Sequence, residues 1–276
     1  MAQRILTLIA YLLRRLLLSL AGVIYIVLAL AFWRLSFDPR QSTPEPAYYV
    51  LVIGLFGAAA AFLITLSVAS RANQAVNYPI LARLPSRVEH LVAVLITSLL
   101  FTLGLQVIVA LLATFDGPAL TLGRILELPP LWLAADLLAI ALALHASDLV
   151  TSGWSRVYVY GFLAIILFGR QLDAAVIQWV SDRFYTLAGW LYREGYMAPG
   201  NALNGLAEWL ASSGGQLIGT IFDAVFWPFR AISTAVVSGS FTPAQALAPA
   251  IVVLYSTILF VLAADFFATK DVYLTE

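Results

Sequence analysis

The chain has 276 residues, 62% of them hydrophobic and only 11% charged, with a mean hydropathy of +0.93 and a formal net charge of zero. A soluble domain is charged at nearer a quarter of its positions, so this is an integral membrane protein, and no basic or acidic run points to nucleic acid. The lack of cysteine excludes disulfides, iron–sulfur clusters and thiolate metal sites.

Arg4, Arg14 and Arg15 precede an apolar run from Leu16 to Trp33 that Arg34 closes. Eighteen apolar residues are enough to cross a bilayer, and no small-residue cleavage site leads into polar sequence, so a retained first helix is expected. After a short loop, Ala47 to Ala69 reads as the second span, in which Gly54, Gly57 and Ala58 to Ala61 let helices approach closely in lipid.

Arg71 to His90 is the densest polar segment of the first half, with Arg71, Arg83 and Arg87 set against Glu89. Three arginines in a short inter-span loop place it on the cytoplasmic side. Tyr78 to Arg83 can form a short helix broken before Pro85, after which Ser86 can cap a helix that runs from Arg87 into the next span. Such an elbow suits contact with a cytosolic partner.

Leu91 to Ala113 is the third span and is followed by a turn with Asp116, Gly117 and Pro118. The fourth, Pro130 to Val150, carries Asp136, His145 and Asp148, and an acid there must face protein rather than lipid. Trp154, Arg156 and Tyr158 mark the next interface, and Val157 to Gly169 begins a short fifth span whose far end can run into the following segment.

In that segment Leu172, Val176, Trp179, Val180, Phe184, Leu187 and Leu191 recur at three and four, opposite Gln171, Asp173, Gln178, Asp182 and Arg193. This is the pattern of an amphipathic helix lying along the membrane surface. Met197 to Asn201 is expected to break it, before two apolar stretches, Ala202 to Leu210 and Leu217 to Val237, separated by Ser212 to Gly215. With Gln216, Asp223 and Arg230 at heptad spacing and Pro228 interrupting it, the second reads as re-entrant or interfacial. Pro243 then precedes a clean last span, Ala244 to Phe267.

The expectation is an all-α polytopic membrane protein with a single transmembrane domain. Six transmembrane helices lie at 16–33, 47–69, 91–113, 130–150, 157–169 and 244–267, with an elbow at 71–90 and an amphipathic or re-entrant outer segment at 170–241. With both termini cytoplasmic, eight basic residues (Arg4, Arg14, Arg15, Arg71, Arg83, Arg87, Arg156 and Lys270) fall inside, and Arg34, Arg40 and Arg124 fall in short outer loops. In a seven-span arrangement Leu217 to Val237 would cross fully and Lys270 would lie outside. Cysteines introduced at Arg83 and Thr275 should therefore react only with reagents admitted to the cytoplasm, and one at Gln41 should react from outside. Outside labelling at position 275 would eliminate the six-span arrangement.

Motifs for chemistry are absent. The sole lysine, Lys270, is followed by Asp271, so no Walker A phosphate loop exists and any ATP hydrolysis belongs to another subunit. Two histidines, no HExxH and no nucleophile elbow leave no expected catalytic, metal or cofactor site. His145 and Asp148, three apart, can share a face as a capping pair at the span's end or as a proton relay. Asp136 reads either as a polar tether between helices or as part of a translocation path.

Three stretches carry a resemblance. LPSRVEHLVAVLI, Leu84 to Ile96, is similar to the Leu-Pro-x-Ser-Arg segment after the second span in membrane permeases of ATP-binding-cassette exporters of the second, six-span type. FFATKDVYLTE, Phe266 to Glu276, resembles their aromatic, basic and acidic ending, and MAPGNALNGL, Met197 to Leu206, looks like their proline-bearing outer segment before the last helix. The resemblance implies a cytosolic coupling helix that docks on a separate ATPase, with Tyr78, Arg83, Arg87 and Glu89 as the contact residues, and a second permease copy or homologue. It also implies the cytoplasmic membrane of a prokaryote. The long segment from Arg170 to Phe241 and the sparse charge of the elbow depart from the pattern. The competing reading is a permease-derived structural subunit held among other integral subunits of a respiratory or photosynthetic complex, with lipid as its surroundings. An ATPase that copurifies favours the first, and a stoichiometric redox or pigment complex the second.

Overall fold

Apolar residues without strand-forming alternation, punctuated by serine, glycine and proline, fold into helices throughout. The computed structural model describes residues 2–37, 45–114, 122–150 and 154–269, without the side chains of 75, 81, 122–124, 154–158 and 162–176. In chain order the helices are α1 (Ala2–Leu17), α2 (Leu20–Ser36), α3 (Pro46–Ala72), α4 (Tyr78–Arg83), α5 (Arg87–Thr114), α6 (Leu122–Ala146), α7 (Trp154–Arg193), α8 (Met197–Trp209), α9 (Gly215–Ser238) and α10 (Ala248–Thr269), with no strand among the described residues. Five stretches are long and apolar enough to cross a membrane, namely α3, α5, Ile125–Ala146, Met197–Ser238 and Gln245–Thr269; α1 and α2, bent by 71°, make a sixth if taken together. The chain is a multi-pass helical membrane protein.

Several boundaries differ from the sequence expectation, each for a local reason. The first apolar run does not form one helix from Leu16, because Ser19 donates its hydroxyl to the Leu16 carbonyl (2.6 Å) and accepts from the Gly22 N–H (3.2 Å), capping a new helix. Arg4, Arg14 and Arg15 therefore belong to a separate helix, α1, whose Leu8, Ile9, Leu12 and Leu16 are buried. The fourth span starts earlier than Pro130 and stops at Ala146: Pro129 and Pro130 are accommodated inside α6, and Ser147 turns back to bond the Leu144 carbonyl at 2.6 Å. Met197 to Asn201 begins a helix instead of ending one, since Pro199 sits in the first turn of α8, where its missing N–H has no partner to lose. The break falls at Gly195, whose φ of 84° belongs to the left-handed region that glycine tolerates. Pro228 leaves α9 continuous. The expected separation at Ser212 to Gly215 is present as a π-helical turn, Leu210–Gly214, with Ser212 out of helical geometry.

Met197–Ser238 has the length and apolarity of a crossing where a re-entrant or interfacial piece is expected. Val157 to Gly169 lies in the 40-residue α7, which continues to Arg193. The turn at Asp116 to Pro118, Arg40, Gln41 and the tail from Lys270 to Glu276 lie outside the described residues, as do the side chains of Arg124, Trp154, Arg156, Tyr158, Leu172 and Val176.

Two units are separately packed. In the first, Met1–Val159 with Pro228–Glu276, α6 packs on α3 and α10, and α5 packs on α3 and α1. Neighbouring helices are stitched by side chains that donate to backbone carbonyls: Tyr25 to Leu63 (2.9 Å, α2 to α3), Tyr49 to Ala110 (2.9 Å, α3 to α5), Trp132 to Val50 (3.1 Å, α6 to α3) and His145 to Leu259 (2.8 Å, α6 to α10). In lipid the hydrophobic effect does not hold helices together, so close packing and such bonds do. In the second unit, Tyr160–Trp227, α7 and α8 form an antiparallel pair. Ser181 donates to the Ala207 carbonyl (2.9 Å) and Tyr192 to Asn201 Oδ1 (2.9 Å), with the Tyr192 ring lying against Gly200.

Candidate functional site

The elbow is built from the end of α3. A 3-10 turn at Ala75–Asn77 leads into α4, the six residues in which the sequence places a short helix, and Leu84 and Pro85 separate it from α5. Ser86 caps α5 as its position before a helix predicts, accepting at its hydroxyl from the Val88 N–H (3.3 Å) and at its carbonyl from the Glu89 N–H (3.2 Å).

Asn77 fixes this elbow to α1. Its buried amide donates to the carbonyls of Arg71 (2.6 Å) and Ala72 (3.4 Å), and its Oδ1 accepts from the Tyr11 hydroxyl (3.2 Å) and from Arg15 (3.4 Å). A second tie is the bidentate pair in which Arg4 donates through Nε and Nη2 to both oxygens of Glu89, each at 3.2 Å. Glu89 is buried on the inner side of this pair, so it is engaged within the protein. Of the four residues expected to meet a partner, Arg83 is exposed, Tyr78 and Arg87 are half-buried, and Glu89 is turned inward. Pro79, Ala82, Pro85 and Ser86 extend the exposed surface around Arg83.

A second feature lies inside the first unit. Asp136 on α6 is fully buried, and a Cβ placed on Gly57 of α3 would overlap Gln106 of α5 and come within 2.9 Å of Asp136 Oδ1. Gln106 donates from Nε2 to the Ile53 carbonyl at 3.2 Å, which leaves its Oε1 without a donor. Both Asp136 oxygens are likewise without a hydrogen bond among the described residues. Three acceptors with no donor therefore cluster around Gly57. On the same side of α5, one and two turns before Gln106, Thr102 and Ser98 are also buried, and their side chains have no hydrogen-bond partner among the described residues. This is a polar seam through a span, an expensive arrangement of the kind that marks function more often than packing.

His145 lies on α6 away from this seam, donating from Nε2 to Leu259, which selects the tautomer protonated there, and meeting the Phe266 ring edge-on. Asp148 is exposed in the turn after α6. The structure thus gives His145 a tethering place between α6 and α10, and only Asp136 of the three sits in the seam. Sequence reasoning missed Gln106 and Gly57 as its neighbours. The signal that could have found the seam is the recurrence of neutral polar residues at every fourth position, Ser98, Thr102 and Gln106. No family model, curated protein or solved structure matches this chain.

Proposed function

We propose that the chain is the membrane-spanning permease subunit of an ATP-binding-cassette exporter, in the cytoplasmic membrane of a prokaryote, with both termini and the elbow on the cytosolic side. It works with a separate ATPase subunit and a second permease copy or homologue. The observation that carries this reading is the elbow: a short helix between two spans, exposed around Arg83, braced through Asn77 to α1 and at the start of α5 by the Arg4–Glu89 pair. A push on such a braced helix would be transmitted to α1, α3 and α5 rather than absorbed by a slack loop. Asp136 and the seam then lie where a path between helices would run.

Reversing charge with Arg83→Glu and Arg87→Glu tests it. An interfacial arginine facing a carboxylate supports binding by a few kcal/mol, so the double variant should bind the ATPase about 100-fold more weakly or worse. Its thermal midpoint should stay near that of the parent. Copurification in mild detergent and stimulated ATP hydrolysis are the readouts. If the parent itself brings down no ATPase, the exporter reading fails and the permease-derived structural subunit takes its place.

A further inference from the structure

Where α1 bends into α2, an open cleft of about 600 Å³ is lined by Arg14, Arg15 and Leu18 from this bend and by Arg71 and Gln74 from the end of α3, with Tyr11 at its side. Three guanidinium groups and no acid line it. Two of them are already oriented: Arg15 donates to Gln74 Oε1 at 2.7 Å, and Arg71 donates to the Arg15 carbonyl at 3.3 Å. Arg14 is exposed, and its side chain makes no hydrogen bond or ion pair among the described residues. The volume is in the range of small-molecule sites, about 300–1,000 Å³.

We propose that this cleft binds the phosphate-bearing head of an anionic phospholipid. Charge selects the phosphate, since arginine forks match its oxygens and like charges this close favour a counter-anion. The surroundings select a lipid over a free anion: Leu17, Leu18 and Leu20 stand exposed beside the arginines, followed along α2 by Val23, Ile24 and Val27. A headgroup seated against the arginines would lay its acyl chains on that apolar strip. The amphipathic α1 would then lie at the level of the headgroups, its basic last turn facing them.

The site is independent of the exporter reading and is tested on the purified full-length chain in detergent by thermal shift. Phosphatidylglycerol, phosphatidylcholine and inorganic phosphate are titrated separately into the parent, into Arg14→Gln, and into Arg14→Gln with Arg71→Gln. Phosphatidylglycerol should raise the midpoint and phosphatidylcholine should not. One cation near the surface contributes about fivefold to anionic-lipid binding, so the apparent affinity should fall about fivefold in Arg14→Gln and further in the double variant. Arg14→Gln leaves every described hydrogen bond of the cleft in place, so its loss reports the headgroup and not the fold. Equal stabilisation by the two lipids, or an unchanged phosphatidylglycerol affinity in both variants, overturns the proposal. Equal stabilisation by inorganic phosphate overturns it too, by making the cleft a free-anion site.

Discussion

Leucine at position 57 is expected to lower the stability of the helical body by about 3 kcal/mol, the upper part of the range for overpacking a filled interior. Gly57 lies where α3 faces both α5 and α6, and even a single added carbon would overlap Gln106 Nε2 and press on Asp136 Oδ1. Gln106 has little room to yield, because its amide is held to the Ile53 carbonyl across the same contact. Gly104 supplies the control. It lies on the exposed face of α5 with nothing near the space a Cβ would take, so Gly104→Leu should melt as the parent does. Intrinsic tryptophan fluorescence during heating in detergent measures both. Should Gly57→Leu and Gly104→Leu melt together, the close packing around Gly57 is wrong.

Asp136→Asn should move stability the other way, raising it by about 1–3 kcal/mol, the usual cost of a buried polar group left without its hydrogen bond. Asparagine keeps the size of aspartate, removes the possibility of a buried charge and brings an N–H pair to a place where the Asp136 and Gln106 acceptors lack a donor. A thermal midpoint above that of the parent, by a few degrees, is the expected reading. On the exporter reading, a variant that is also unable to stimulate the proposed ATPase would put the seam on the working path, since a residue kept at the expense of stability is kept for activity. An Asn variant less stable than the parent would mean that the carboxylate has a stabilising partner, and the account of a donor-poor cluster would fall.

Some of this was legible locally and some was not. Composition alone gives a helical membrane protein, and Pro85 with Ser86 gives the start of α5, because a proline and a cap act on their immediate neighbours. Ser19 was not legible: one serine in an apolar run reads as part of a span until the chain is seen to fold back on its hydroxyl. Proline misled at Pro199 and Pro228, which sit in the first turn of α8 and inside α9, while Gly195 makes the turn. Asp136 drew attention because an acid in a span is costly, but its neighbours come from α3 and α5, far away in sequence. By resemblance Glu89 reads as a partner-contact residue of the elbow, and only the placement of α1 reveals that Arg4 covers it.

The break at Ser19 also leaves α2 with 17 residues, against 27 in α3 and 28 in α5. At 1.5 Å per residue, α2 reaches about 25 Å and its neighbours about 40 Å, set against a hydrocarbon core of about 30 Å. The long helices relieve their excess by tilting or by emerging at an interface. Alone, α2 falls short of the core and makes a span only when taken together with α1 across the 71° bend. Bilayer thickness therefore becomes a control variable at that bend: a change in lipid chain length should act on the hinge at Ser19 before it acts on α3 or α5.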